Sequence, residues 1–291
     1  MTDTTASARA YALRRGWFRF RQSGLSMLGA ALVLAVLVIA VIGPWIAPFP
    51  DHVAGGVDTA NRFRFPSLAN PFGTNELGQD VLSLVLAGTR VSVLAGLGVV
   101  LIGTVAGTLV GAVAGFVGGW ADEVLMRVAD LLLVVPGLIL AMAVAAALGP
   151  GLFNMVIAIA LSWWPGYARL VRGEVIARRE EVYVTAARAM GARPARVLFR
   201  HVLPNIVSPI VVKMSLDMGF AILTVASLGF IGIGVRPPTP EWGTLLSVSR
   251  SYMPDFWWTA VFPGLAMFVA IFGFNLLGDG LRDVLDPRAR R

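Results

Sequence analysis

Long uncharged runs, separated by short segments that carry arginine, dominate the pattern of this chain. The runs at 22–50, 91–121 and 131–168 contain no Asp, Glu, Lys or Arg. Each exceeds the roughly 18 residues that mark a candidate transmembrane helix. A Leu-Gly-Pro-Gly sequence at 148–151 divides the third run, which is too long for one span, into two helices joined by a tight turn. The pattern predicts an all-α, polytopic membrane protein.

The uncharged runs and the arginine-bearing segments together predict six transmembrane helices with both termini in the cytoplasm. The stretch at 71–83 is expected to form a turn followed by the start of an amphipathic helix. The expected segments are, in order, a cytoplasmic N-terminal segment (1–24), a first transmembrane helix (25–47), an external loop (48–87), a core domain of five transmembrane helices (88–280) that contains a cytoplasmic loop (178–204), and a cytoplasmic tail (281–291).

Composition agrees with a membrane protein. Of 291 residues, 57% are hydrophobic and 14% are charged, whereas about a quarter are charged in a soluble domain. A net charge of +7 in a soluble protein would indicate nucleic-acid binding. Here the arginines cluster beside apolar runs, which is the positive-inside pattern, and nucleic acid is not an expected partner. The first run is longer than a secretory signal core, so a retained span is expected.

Glycines recur every fourth residue in the second uncharged run. This spacing places them on one slowly drifting helix face, where the missing side chains let another helix approach closely. The face is interpreted as a packing surface, and a sliding surface that permits helix motion is the alternative. The glycines are Gly103, Gly107, Gly111, Gly115 and Gly119.

The densest run of arginines lies at 186–205, between two apolar runs. Gly191 and Pro194 divide it, because glycine suits the left-handed position past a helix end and proline suits the first helical turn. Helices are therefore expected at about 180–190 and from Pro194 towards His201. One face of the second is expected to carry Arg193, Arg196 and Arg200. Its opposite face is expected to carry Ala195, Leu198, Phe199 and Val202, with Val197 as a misfit.

Two interpretations of this basic stretch remain open from the residues alone. A basic amphipathic helix can rest on anionic lipid at the membrane surface. It can also dock on a cytoplasmic protein. The small side chains of Ala186, Ala187 and Ala189 favour docking, because they let a helix approach a groove closely.

The order of several short motifs resembles one transporter family. Ala186, Ala187, Gly191, Leu203 and Pro204 match the EAA loop of bacterial ABC-importer membrane subunits. More narrowly, the chain resembles the C-type permeases of dipeptide, oligopeptide and nickel importers over nearly its whole length. The supporting motifs are PFGTNELGQDVLS, GFVGGWADEVLMRVAD, WPGYARLVRGEV, FRHVLPN, GVRPPTPEWG and FNLLGDGLRDVLDPR.

The resemblance implies a function and a set of partners. The loop at 178–204 would form the coupling helix that sits in a cleft of a cytoplasmic ATPase. The chain would form half of a pore for peptides in the inner membrane, with a nickel chelate or glutathione as alternative cargo. Its partners would be a paralogous permease, two ABC ATPase subunits, an extracytoplasmic substrate-binding protein and membrane lipids. The implied docking residues are Thr185, Ala186, Ala187, Gly191, Arg193, Pro194, Arg196, Leu203 and Pro204.

The chain departs from the family pattern at three positions. Thr185 replaces the usual Glu of the EAA loop, so an ion pair made by that Glu is in doubt unless Glu180 or Glu181 substitutes. Val225 and Gly229 stand where related chains often have Glu and Ser.

The sequence contains no recognisable catalytic or metal-binding site. Lys213 is the only lysine, and no GxxxxGK[ST] phosphate loop surrounds it. His52 and His201 are isolated, and without cysteine there is neither a disulfide nor a thiolate site. A non-catalytic subunit is expected, with ATP and Mg²⁺ bound by the partner ATPases. A secondary transporter or channel is the rival class, although it would call for inverted repeats. A membrane scaffold with a lipid-binding basic loop and no transport activity is another rival interpretation.

Lys213 and Asp217 are the only charges well inside the fifth predicted span. Four residues apart, they lie on one helix face and can pair, which lessens the cost of burying either. A structural ion pair is one interpretation. A position on the translocation path, where the pair meets the charged ends of a peptide, is the other.

Overall fold

The structure, a computed structural model, describes residues 17–18 and 20–285, and within them it contains helices but no strands. The N-terminal arginines before Trp17 and the residues after Leu285 lie outside the described residues. The main helices are α1 (Gly24–Ile46), α2 (Val81–Val117), α3 (Gly119–Val134), α4 (Gly137–Leu148), α5 (Leu152–Arg179), α6 (Val182–Ala189), α7 (Pro194–Val197), α8 (Val207–Ile231), α9 (Trp242–Ser249) and α10 (Trp258–Leu285).

Four helices are long and apolar enough to cross a membrane, namely α1, α2, α8 and α10. Helices α3 and α4 together form a fifth candidate, bent by 94° at their junction. Helix α5 spans 28 residues, but its C-terminal part, from Arg169 to Arg179, carries several charged residues. The all-helical, multi-pass architecture is confirmed, while the count of six spans and their orientation stay predictions.

The third uncharged run divides twice rather than once. Its Gly-rich turn separates α4 from α5 as expected, with Gly149 at a φ of +85°. The run is also broken at Pro136, which sequence analysis missed, so no straight helix leads from residue 131 to Leu148. Proline lacks the N–H needed in a helix interior and disfavours helical geometry in the residue before it. Val135 accordingly adopts an extended conformation.

Helix α2 begins earlier than expected, at Val81 instead of after residue 87. The carboxylate of Asp80 accepts hydrogen bonds from the backbone N–H and the hydroxyl of Ser83, both at 2.8 Å. This N-cap satisfies a backbone donor that would otherwise be unpaired at the helix start. The predicted turn at 71–80 is present, and the helix that follows belongs to the long span.

The most extensive helix packing joins α2 to α5. A Cβ atom added at Gly107 or Gly111 would clash with the backbone of α5, and one added at Gly115 would lie 2.8 Å from the carbonyl oxygen of Arg172. Gly103 makes only ordinary contacts. The expectation that Gly119 belongs to this packing face is wrong, because Gly119 lies in α3 at a φ of +56° with open space around it. The glycines from 107 to 115 therefore set the approach of the two helices.

At one end of the helices, the segments 48–80 and 232–257 fold together into what is here called the loop lobe. The Gln79 amide donates a 2.9 Å hydrogen bond to the carbonyl of Gly56. The indole N–H of Trp258, the first residue of α10, donates one of 3.1 Å to the carbonyl of Thr74. The rings of Phe63 and Phe256 stack with their centroids 3.9 Å apart. The first contact lies within the loop between α1 and α2, and the other two connect this loop to the start of α10.

Candidate functional site

The predicted helix–glycine–proline–helix unit is present after α5, with changed bounds. Helix α6 ends at Ala189, and Gly191 takes a φ of +81°, which favours glycine. Pro194 occupies the first turn of α7. The second helix was expected to continue regularly to His201, but it passes after Val197 into a π-helical turn at Leu198–Val202 and then a 3₁₀ turn.

The inner side of this unit is apolar and packs on the C-terminal parts of α2 and α5. Val184 and Ala187 of α6 belong to one buried cluster with Val197. Ala187 is only 3% exposed. The expectation that Ala187 contacts a partner is therefore corrected, because its side chain is already enclosed by this chain. The α2 and α5 members of the cluster are Ala112, Val171 and Val175.

The outer side of the unit exposes apolar and small side chains, and is here called the α6–α7 surface. Val182 and Met190 are each 83% exposed, and Phe199 is 59% exposed. Val182, Thr185, Ala186 and Ala189 lie at helical spacing on one face of α6, and Met190 follows its last residue. The surface consists of Val182, Thr185, Ala186, Ala189, Met190 and Phe199.

The sequence placed the apolar face of the second helix correctly at Leu198 and Val202, which are buried, and incorrectly at the other positions. Val197, expected as the misfit, is fully buried. Ala195 and Phe199, expected on the inner side, are exposed. A π turn holds more residues per turn than an α-helix, so positions calculated at 100° per residue no longer apply after Leu198. Arg193, Arg196 and Arg200 are exposed as predicted.

Acidic residues at the start of the unit pair with neighbouring arginines. Glu181 lies 3.8 Å from Arg178, and Glu180 lies 3.1 Å from Arg179. Arg179 also donates a 2.9 Å hydrogen bond to the carbonyl of Gly115 at the end of α2. The Thr185 hydroxyl donates to the carbonyl of Glu181 at 3.4 Å. These bonds join α6 to α5, and α5 to α2, without the Glu that the family usually has at position 185.

A stronger link between helices was missed by sequence analysis. Arg172 of α5 donates two hydrogen bonds, of 2.5 and 2.7 Å, to the carboxylate of Asp122 in α3. Such a bidentate pair fixes orientation as well as distance. The two residues are fifty positions apart, and nothing in their spacing predicts the contact.

Glu241 is a buried acidic residue of the loop lobe that sequence analysis also missed. Its side chain is fully buried and accepts hydrogen bonds of 2.9 Å from the backbone N–H groups of Gly243 and Thr244. The Ser92 hydroxyl of α2 contacts the same carboxylate at 3.2 Å. A Cβ at Gly229 would clash with this carboxylate, so the glycine that departs from the family pattern makes room for Glu241.

The structure brings Lys213 and Asp217 together as the sequence predicted. Their charged groups lie 2.9 Å apart on α8, and their side chains are 32% and 19% exposed. The Lys213 ammonium also lies 4.9 Å from the ring centroid of Tyr167 on α5, a distance typical of a cation–π contact. In the described part of the chain, no group of three His, Asp or Glu side chains is arranged to hold a metal ion.

Comparison with known proteins identifies the family. Residues 107–291 match the binding-protein-dependent transport system inner membrane component, and residues 12–68 match the N-terminal TM domain of oligopeptide transport permease C. The glutathione transport system permease protein GsiD of Escherichia coli O6:K15:H31 is 44% identical over 274 residues, covering 94% of this chain and 90% of that protein.

A second relative is named for a different transported substrate. The probable D,D-dipeptide transport system permease protein DdpC of Escherichia coli K12 is 44% identical over 267 residues, covering 92% of this chain and 89% of that protein. Both relatives are transport permeases, and both align over nearly their whole length. The chain therefore belongs to the family of inner membrane components of binding-protein-dependent transport systems.

Proposed function

We propose that this chain is one of two permease subunits of an ATP-driven importer for small peptides. The similarity to two transport permeases over more than nine-tenths of the chain carries the proposal. Those relatives are named for glutathione and for a D,D-dipeptide, which are both small peptides with charged ends. A free dipeptide or glutathione is therefore the expected cargo, ahead of a nickel chelate.

The proposal includes six spans with both termini in the cytoplasm. Helix α5 supplies the sixth span, which leaves the loop lobe outside and the α6–α7 surface inside. The absence of native cysteine makes this directly measurable. A cysteine at the fully exposed Leu68 should react with an impermeant maleimide in intact cells. A cysteine at Ala189 should react only after the membrane is opened, and the reverse pattern would contradict the topology.

The energy source is proposed to be separate ATPase subunits that bind ATP and Mg²⁺. The α6–α7 surface supports their docking, because a group of exposed apolar side chains such as Val182, Met190 and Phe199 is typical of a surface that binds a protein partner. Exposed arginines beside this surface, at Arg193 and Arg196, suit an acidic rim on that partner. A paralogous permease, an extracytoplasmic binding protein and membrane lipids complete the proposed assembly.

Crosslinking tests the docking with a matched pair of neighbouring residues. A cysteine at the exposed Ala186 should form a disulfide with cysteines placed in the cleft of the partner ATPase. A cysteine at the buried Ala187 should not, although the two positions are adjacent. Equal crosslinking at both positions, or none at Ala186 across several cleft positions, would contradict the docking geometry.

Uptake measurements test the function itself. Cells lacking other peptide importers, but expressing this chain with its partner subunits, should accumulate radiolabelled dipeptide or glutathione. Uptake should stop when the chain is deleted or when the phosphate-binding lysine of the partner ATPases is replaced. Uptake that persists without ATP hydrolysis would identify a secondary transporter instead.

A further inference from the structure

Helix α8 has two faces of different chemistry. One face packs in the core, where Ile222, Val225 and Leu228 are fully buried. At 100° per residue, the other face gathers six positions within an arc of about 80°. These positions are Lys213, Asp217, Phe220, Thr224, Ser227 and Ile231. The ion pair therefore lies in line with a second surface that runs the length of the helix.

This second face is partly open, because Phe220 and Ile231 are exposed and the other four side chains are half-buried. Phe220 is 61% exposed, while the hydroxyls of Thr224 and Ser227 each donate a 2.8 Å hydrogen bond to a carbonyl of the preceding turn. A surface that faces lipid excludes ionic groups because of the cost of placing charge in hydrocarbon. A mixture of apolar, hydroxyl and ionic groups is instead typical of a surface that meets polar solutes.

The ion pair has unused hydrogen-bonding capacity. An ammonium group has three donors and a carboxylate about four acceptor sites, and the 2.9 Å contact between Lys213 and Asp217 uses one of each. A purely structural pair in an apolar span is stable when surrounding groups satisfy the rest. The neighbour of Lys213 across the helix interface is the ring face of Tyr167, which accepts no conventional hydrogen bond.

Buried hydroxyls lie on the neighbouring helices, and that of Tyr167 is close to both Asp217 and Thr104. Among the described residues, none of the hydroxyls of Tyr167, Thr104 and Thr108 has a partner in full hydrogen-bond geometry. The two threonines flank Gly107, at which an added Cβ would clash with the side chain of Tyr167. Unpaired buried hydroxyls are costly and uncommon. Their concentration next to an ionic pair indicates a place where polar groups of a passing solute can be accommodated.

We propose that the open face of α8 lines the translocation path, and that Lys213 and Asp217 bind the two charged ends of a peptide. The inference rests on the proposed function. The Lys213 ammonium binds the C-terminal carboxylate, and the Asp217 carboxylate binds the N-terminal ammonium. Without a peptide, the two side chains neutralise each other. When a peptide arrives, each side chain exchanges one opposite charge for another, so the net charge in the span stays zero.

The helix geometry suits this exchange. Four residues at a rise of 1.5 Å each place the two anchor points about 6 Å apart along α8. The flexible four-carbon stem of Lys213 lets its ammonium move away from Asp217 without a backbone change. The side chains also retain partial exposure, so a peptide can reach them.

Three peptide probes and three variants test the inference in cells that express the complete importer. The probes are radiolabelled alanyl-alanine, its N-acetyl form and its C-terminal amide. The variants are Lys213→Met, Asp217→Asn and the double variant, which leaves no uncompensated charge and should assemble. Uptake is normalised to the amount of assembled importer in the membrane. Ser215→Ala, which lies on another face of α8, is the matched control.

The expected result is a change of selectivity. The double variant should take up the free dipeptide about tenfold more slowly or worse, because two charge-assisted interactions are lost. Asp217→Asn should lose the preference for the free dipeptide over its N-acetyl form, and Lys213→Met should lose the preference over the amide. Ser215→Ala should behave as wild type in every measurement.

Other outcomes separate this inference from the proposed function. Normal uptake and unchanged selectivity in the assembled double variant would show a structural ion pair and overturn the inference, while peptide import by the wild type would stand. Failure of the wild type to import any of the three probes or glutathione would contradict the proposed function, and the inference with it.

Discussion

The loop lobe and the α6–α7 surface differ in how their side chains are paired within the chain. In the loop lobe, the buried Glu241 carboxylate accepts hydrogen bonds from two backbone N–H groups at the start of α9, and aromatic rings stack on one another. On the α6–α7 surface, Val182 and Met190 are almost fully exposed on a short helix. The loop lobe also exposes apolar side chains such as Phe65 and Leu68, but its buried carboxylate is paired with donors from its own chain. The α6–α7 surface gathers exposed apolar side chains on one short segment, which is typical of a surface that binds a partner.

Replacing Glu241 should produce the largest loss of stability. The Glu241→Ala substitution removes the cap of α9 and leaves buried backbone donors unpaired, at a cost of about 3 kcal/mol. Thermal unfolding in detergent, or the yield of assembled protein, measures the effect. Glu123→Ala is the control, because its carboxylate is 72% exposed in a weak ion pair with Arg127. Equal effects of the two substitutions would contradict the role given to Glu241.

Filling the glycine contact between α2 and α5 should have the next largest effect. In Gly111→Ala the new methyl group meets the carbonyl of Ala168, and overpacking of this kind costs about 1–3 kcal/mol. The matched control is Gly166→Ala on α5, where no atom lies within 4 Å of the added Cβ. That control should be neutral or slightly stabilising, since alanine favours helices. Unfolding midpoints of the two variants test the contrast.

A charge on the α6–α7 surface should reduce transport and leave the fold intact. Val182→Asp places a carboxylate at an exposed position, so the free energy of unfolding should stay within about half a kcal/mol of wild type. Its ATP-dependent uptake should fall about tenfold, because a buried interface charge costs at least 1.4 kcal/mol. Val184→Asp, two residues along and fully buried, should destabilise the protein itself. Normal uptake by Val182→Asp would show that the surface docks nothing.

The smallest expected effect concerns the half-buried Glu76 in the loop lobe. Burial raises the pKa of its carboxyl above the ordinary value of 4.5, against the opposing effects of a backbone hydrogen bond and Arg62. The folded state therefore binds the proton more tightly, and stability is lost as pH rises from 4.5 through the raised pKa. Glu76→Gln should unfold at a higher temperature than wild type near neutral pH, and at about the same temperature in acid. A difference that does not change with pH would contradict this.

The helix–glycine–proline–helix unit shows how far sequence reasoning reached and where it failed. Gly191 and Pro194 were located correctly, because a left-handed residue and a missing N–H are local requirements. The inner face was located only in part, since Leu198 and Val202 are buried as expected but Val197 is also buried and Phe199 is exposed. Periodicity alone cannot show which residues beside the arginines turn inward, because the buried cluster formed with α2 and α5 decides it. The same applies to Ala187, which only the packed cluster reveals as enclosed.

The sequence by itself determined the membrane-spanning character of the chain, its family and the sites of its breaks. These follow from uncharged runs, ordered motifs and the conformations that glycine and proline allow. Only the tertiary structure decided which residues face outward at α6, that Asp122 pairs with Arg172, and that Gly229 makes room for Glu241. Such contacts join residues far apart in the chain, and their energies depend on distances of a few tenths of an ångström that no local pattern encodes.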